Sequence, residues 1–257
     1  MSIGDYLDHP SKDQMIEIEK NSRTDKLYLR IKWPSVVYSP PEKNIYFFFS
    51  RHETDSWIRM LNNRLGQVRL SYIFMMHYFN KGIPDDEWYI NPNRGELSIQ
   101  YFPHFREETF HYKTMFDYYT DVFYYKFSSA WDTIFHIINA YYSFNIEPKH
   151  RFNDKVKNEL KKRNSALFNE IGKTENSEAF KESKTLRNNI THNFSPNDIS
   201  SGVKKEFVDG KIRRISMDIG EYTPSMIFIK NINDLINVMI SFLAFLKETL
   251  ESNPEES

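Results

Sequence analysis

Residues 115–144 read MFDYYTDVFYYKFSSAWDTIFHIINAYYSF, and they decide the class of this fold. Phe116, Tyr119, Phe123, Phe127, Ala130, Ile134, Ile138 and Tyr141 recur every three or four positions, which is the period of one face of an α-helix. The pattern reaches back to Phe105 and is broken by Pro148, so one long helix, or two nearly collinear ones, is expected over 105–144. Such a stripe belongs in a core or a dimer interface; a platform for stacking bases would need the same rings exposed.

Composition agrees with a helical chain. The 257 residues suffice for one large domain or two small ones. Hydrophobic residues at 40% and charged residues at 27% describe an ordinary soluble globular protein, while aromatics at 16% and only 8 glycines favour helices over tight loops. With no cysteine, disulfides and thiolate metal sites are excluded. The first thirteen residues are polar and lack an apolar signal region. The longest apolar run, Leu235 to Leu246, contains Asn237 and Ser241 and is too short to span a bilayer. A cytoplasmic protein without membrane contact is therefore expected.

A net charge of −1 argues against coating nucleic acid by bulk electrostatics. The charge is unevenly spread, however. Lys149 to Arg187 holds 11 Lys/Arg against 6 Asp/Glu, and the tail from Lys247 is acidic. The basic stretch is either a solvated helix face or one wall of an anion-binding groove.

Outside the aromatic helix, residues 1–49 read as irregular, with extended pieces at Leu27–Ile31 and Ile45–Phe49 broken by Pro34, Pro40 and Pro41. Ser50-Arg51-His52-Glu53 has the capping-box pattern and is expected to open a helix reaching about Asn80. Trp88-Tyr89-Ile90 and Leu97–Tyr101 flank Asn91-Pro92-Asn93-Arg94-Gly95 as a hairpin. A basic helix is expected from about Asn153 to Ile171, another from about Asn176 to Asn193, and a last amphipathic one from about Asn231 to Leu250. Asp209-Gly210 between two short apolar runs predicts a second hairpin. The expected class is all-α: an up-down bundle of four to five helices with two small β-hairpin insertions. Residues 1–104 form an N-terminal extension packed on the bundle, and 105–257 form the bundle itself with a hairpin at about 203–219.

One segment carries chemistry. Leu186-Arg187-Asn188-Asn189-Ile190-Thr191-His192-Asn193-Phe194-Ser195 ends a helix, with Pro196 behind it. Arg grips phosphate oxygens in a bidentate fork, and His transfers protons near neutral pH. Asn188 and His192 are four apart and share a helix face, whereas Arg187 and His192 are five apart and diverge by about 140°. They converge only if the helix unwinds near His192, as Asn193 in a left-handed conformation would allow, or if a second chain supplies the complement. The plainer alternative is a basic helix end whose Arg and His cap carbonyls.

Arg187-Asn188-x-x-x-His192 resembles the signature of the HEPN superfamily (higher eukaryotes and prokaryotes nucleotide-binding domain). Its members are bundles of four or five helices with this motif late in the chain and one further helix after it. The resemblance covers roughly 105–250. It implies a metal-independent endoribonuclease acting at a dimer interface, often in toxin–antitoxin or phage-defence systems. His192 would be general acid or base and Arg187 would stabilise the phosphorane; both are the catalytic candidates. Asn188 would be auxiliary. Members often add an acidic or polar residue from an earlier helix, for which Asp132 is the candidate; its other reading is an ordinary polar-face residue. RNA, a second copy and an antitoxin protein are the implied partners, with no cofactor. A member that has lost cleavage and binds RNA or regulates, and an unrelated helical interaction protein, are the rivals. Glu108-x-x-His111 has the spacing of a di-iron bundle but no second copy, so no metal site is expected.

Overall fold

The computed structural model describes residues 7–33, 41–91 and 99–252. Among them are α1 (Lys12–Ser22), a single 3-10 turn (Thr24–Lys26), α2 (Pro41–Phe79), β1 (Tyr89–Ile90), β2 (Gln100–Tyr101), α3 (Glu107–Tyr141) and α4 (Phe152–Arg163). They are followed by α5 (Ser165–Asn176), α6 (Glu178–His192), β3 (Val203–Val208), β4 (Lys211–Met217) and α7 (Ser225–Ser252). The fold is all-α with two small antiparallel sheets, β1–β2 and β3–β4.

The aromatic helix is continuous. α3 runs for 35 residues and buries Phe116, Phe123, Phe127, Ala130, Ile134, Ile138 and Tyr141, so the stripe is core. Its longest partner is α2, and the two pack along each other. Leu61, Leu65 and Val68 of α2 are fully buried in the seam, each side chain contributing about 1.5–3 kcal/mol of transfer free energy. A single apolar core runs from Leu27 through α2 and α3 to Leu250 of α7, continuous across residues 104 and 105.

Several boundaries differ from expectation. α2 begins at Pro41, so 45–49 is helical and Ser50 is interior. A proline at the first helical position needs no N–H partner, which makes it a better start than Ser50. The Ser50 hydroxyl donates instead to the Ala140 carbonyl at 2.7 Å and ties α2 to α3. The working capping box is Ser11-x-x-Gln14, which opens α1 inside the segment read as irregular. The expected single basic helix is two. Asn164 leaves helical geometry (φ −146°, ψ 89°), and its side chain accepts from the Leu167 amide to start α5. Leu27–Ile31, expected to be extended, forms no strand: Leu27 closes the 3-10 turn (φ −74°, ψ 77°). The Asn62 side chain holds the segment to α2, accepting from Leu29 N–H at 2.9 Å and donating to Leu29 C=O at 2.8 Å.

α7 starts at Ser225, six residues before the apolar run suggests, because buried Asp85 accepts from both the Ser225 amide and its hydroxyl. By length and composition α7 could cross a membrane, with a mean hydropathy of 1.4 over its most apolar stretch, but half of that stretch is buried inside the fold. The strands of the first hairpin are paired at Tyr89↔Tyr101 and Ile90↔Gln100; its expected turn at 91–95 lies almost wholly outside the described residues. The second hairpin turns where expected, with Asp209 (φ 51°) and Gly210 (φ 75°) both left-handed.

Candidate functional site

α6 carries the Arg/His segment, and its sequence explains both ends. The Ser177 hydroxyl accepts from the Phe180 amide at the start. Phe180, Ser183 and Leu186 face the core, with Phe180 against Trp131 of α3 at 4.9 Å. Helical geometry persists through His192, and Asn193 follows in an extended conformation (φ −127°, ψ −167°), not the left-handed one that its residue type allows. Asn193 closes the helix by donating twice to Asn189, from its backbone to the carbonyl at 3.0 Å and from its side chain to the amide oxygen at 2.9 Å.

Because α6 does not unwind, Arg187 and His192 leave it about 140° apart around the helix. Arg187 is half-buried, and its Nε is enclosed with no hydrogen-bond acceptor. Asn188 and His192 are exposed one turn apart on the other side of the helix. A buried guanidinium nitrogen without an acceptor is costly, and an anion reaching it would remove that cost. Thr191, one turn after Arg187, donates its hydroxyl proton to the Arg187 carbonyl at 2.7 Å. Its oxygen is 2.9 Å from the Tyr125 hydroxyl, which therefore acts as donor. This pair fixes the motif end of α6 to α3.

Asp132 is placed elsewhere. It is exposed on α3, beside the Trp131 that packs on Phe180, and accepts from the Asn153 side chain at 2.8 Å. Phe180 and His192 are about 18 Å apart along α6 by helical rise, so Asp132 sits at the end of α6 away from the imidazole. Asp117 and Asp121 of α3 lie near the motif instead, with Asp198 close to both. The Asp121 carboxylate accepts from the Asn197 side chain at 3.3 Å, and Asn197 is buried just beyond Pro196. Lys113 donates to both oxygens of Asp117 at 2.6 Å and to the Asn197 carbonyl at 3.4 Å. Ser195 donates to Asn197, and the Thr223 amide to the Pro196 carbonyl. The segment after His192 is thus stapled to α3 and to the start of α7.

Sequence reasoning missed this ridge, although a signal was present. Lys113, Asp117, Asp121 and Tyr125 are spaced by four, a polar row along a helix otherwise rich in aromatics. Its electrostatics are unusual. Burial pushes Asp117 up to about 7, against the pull of Lys113 and with help from Asp121 and Asp198. Burial also raises Asp121, partly offset by the Asn197 hydrogen bond. Near neutral pH the ridge beside the motif is therefore less negative than its residue count implies.

Three clefts lie away from the motif, and Arg187 and His192 line none of them. The most enclosed holds about 320 Å³ between α1 and the end of α2, lined by Asp8, His77 and Lys81 among others. Among the described residues no group of three or more His, Asp or Glu is arranged to hold a metal ion.

No curated protein and no solved structure matches the chain. The HEPN_Cthe2314-like HEPN family model matches residues 57–253, from within α2 to beyond the end of α7. A match over most of the chain, together with the late Arg/His helix followed by one further long helix, makes this protein a member of the HEPN superfamily, the higher eukaryotes and prokaryotes nucleotide-binding domains.

Proposed function

We propose that this protein is a metal-independent endoribonuclease whose active site is completed by a second copy of the chain. The observation that carries the proposal is the enclosed Arg187 Nε, a cationic donor without an acceptor, little more than one helical turn from an exposed imidazole. Arg187 would take the phosphate oxygens and stabilise charge developing on them. His192 would act as general acid or base while the RNA 2′-hydroxyl attacks the adjacent phosphorus, with Asn188 on the same face to orient the phosphate. Since the two catalytic side chains diverge on an unbroken helix, the Arg187 of one copy works with the His192 of the other. The acidic auxiliary role falls to Asp121, which holds the segment behind His192, in preference to Asp132. A cytoplasmic toxin or phage-defence effector, restrained by an antitoxin protein, is the setting this chemistry suits.

The test is RNA cleavage in EDTA. Purified protein should cut single-stranded RNA and leave 2′,3′-cyclic phosphate ends, because the internal 2′-hydroxyl is the nucleophile these residues can use. His192→Ala should lower the rate by roughly two to four orders of magnitude. Arg187→Ala should lower it by roughly two to three orders of magnitude. Cleavage that survives both substitutions, or that needs added divalent metal, would sink the mechanism. RNA binding that depends on Arg187 without any cleavage would establish the non-catalytic reading instead.

A further inference from the structure

The β3–β4 hairpin is amphipathic, and among the described residues no helix covers its apolar face as the two strands cover each other. Directly paired residues of an antiparallel sheet point to the same side. The register pairs Val203 with Met217, Lys205 with Ile215, and Phe207 with Ile212. The last pair exists only because a bulge between Glu206 and Phe207 skips Arg213. Without it, Phe207 would face Arg213; with it, one side of the ribbon carries Val203, Phe207, Ile212, Ile215 and Met217, interrupted by Lys205 alone. The opposite side carries Lys204, Glu206, Val208, Lys211, Arg214 and Ser216. The five apolar residues are 43%, 61%, 49%, 61% and 79% exposed. The two strands pack on each other and on no helix to a comparable extent.

A lone two-stranded ribbon is marginal in water, and an exposed patch on the order of 500 Å² on one is a contact surface in waiting. We infer that the Val203/Phe207/Ile212/Ile215/Met217 face packs against the same face of a second copy of this chain. Three observations favour a second copy. Two such patches together come to about 1,000 Å², the area that a specific interface needs to reach. A two-fold axis needs one surface that tolerates itself, and this face holds a single charge, on a lysine whose long stem can carry its ammonium to the rim. The hairpin also springs from the loop that leaves α6. Its root is tied to the segment behind His192, where the Thr223 amide meets the Pro196 carbonyl, so a second copy held there lies at the motif's end of the molecule. RNA suits the face less well, because only Phe207 among the five offers a ring for a base to stack on. The inference specifies the two-copy arrangement invoked above but does not depend on cleavage.

The chain has no cysteine, so single cysteines report contacts cleanly. Light scattering on the unmodified protein should give twice 30.9 kDa. Phe207→Glu with Ile215→Glu should give 30.9 kDa with unchanged helical circular dichroism. Under mild oxidation Ile215→Cys should cross-link into a covalent dimer, at least tenfold more than Lys204→Cys on the opposite face. A monomeric unmodified protein, a dimer that survives the double glutamate variant, or equal cross-linking from both faces would overturn the inference. A monomer whose RNA affinity falls tenfold or more in Ile215→Glu would assign the face to RNA instead. Efficient Ile215→Cys cross-linking in a protein that cuts no RNA would remove the nuclease reading and leave this interface standing.

Discussion

At the scale of single residues, Asp117 shows how much a neighbourhood changes a side chain. In the sequence it is one aspartate among many. In the fold it is paired with buried Lys113 and pushed up to about 7 from an ordinary 3.8, by burial first, with Asp121 and Asp198 adding to the rise. The folded protein then binds that proton more tightly than the unfolded chain does. Stability from this group is present below the unfolded value and declines as pH rises toward the folded one, levelling off above it. The unfolding midpoint in urea, measured at about pH 5 and about pH 7.5, should fall more steeply with pH in the unmodified protein than in Asp117→Asn. The comparison with the variant matters because His136, its pKa lowered by burial between Trp57 and Phe152, acts in the opposite direction. Equal slopes for the two proteins would show that Asp117 titrates as an ordinary carboxylate.

At the scale of elements, the hairpin root rests on two glycines. Gly202 (φ +66°) leaves no room for a side chain: a Cβ there would lie 2.2 Å from the Asp218 carbonyl oxygen. Gly220 (φ +87°) is equally closed, since a Cβ on it would lie 2.5 Å from the Ser200 carbonyl oxygen. Gly202→Ala should break the hydrogen bond from the Asp218 amide to the Gly202 carbonyl. The expected result is loss of amide-exchange protection at Asp218 and a stability change of about 1–3 kcal/mol, the scale of one strained backbone position. A much larger loss would mean that the hairpin root belongs to the cooperative core. Glycines 202 and 220 are conspicuous in a chain with only eight, but nothing in their flanking residues says which backbone atoms crowd them.

At the scale of the whole molecule, the divergence of Arg187 and His192 makes a prediction that no single-chain site shares. Arg187→Ala and His192→Ala should each be inactive alone. Mixed and allowed to exchange subunits, they should recover about a quarter of the unmodified activity. Half of randomly assorted dimers are mixed, and each mixed dimer holds one intact site out of two. No recovery in a mixture proven to exchange would place both residues of a working site on one chain.

Much of the fold was legible in the amino-acid order. The three-to-four spacing of aromatics over 115–141 specified α3, because a helix buries whatever recurs at its own period. Asp209-Gly210 specified a tight turn, because both positions tolerate left-handed backbone. Arg187-Asn188-x-x-x-His192 pointed to the family whose model matches residues 57–253. What the order did not hold were the features made by residues distant in sequence. Ser50 looks like a helix cap until Ala140 lies across from it; α7 starts where Asp85 meets Ser225; Asp132 and Asp121 look alike until Asn197 arrives beside one of them. Local periodicity is a property of the chain alone and can be read from it. Desolvation, long-range caps and the face left uncovered on a hairpin arise from which segments meet, and only the packed molecule decides that.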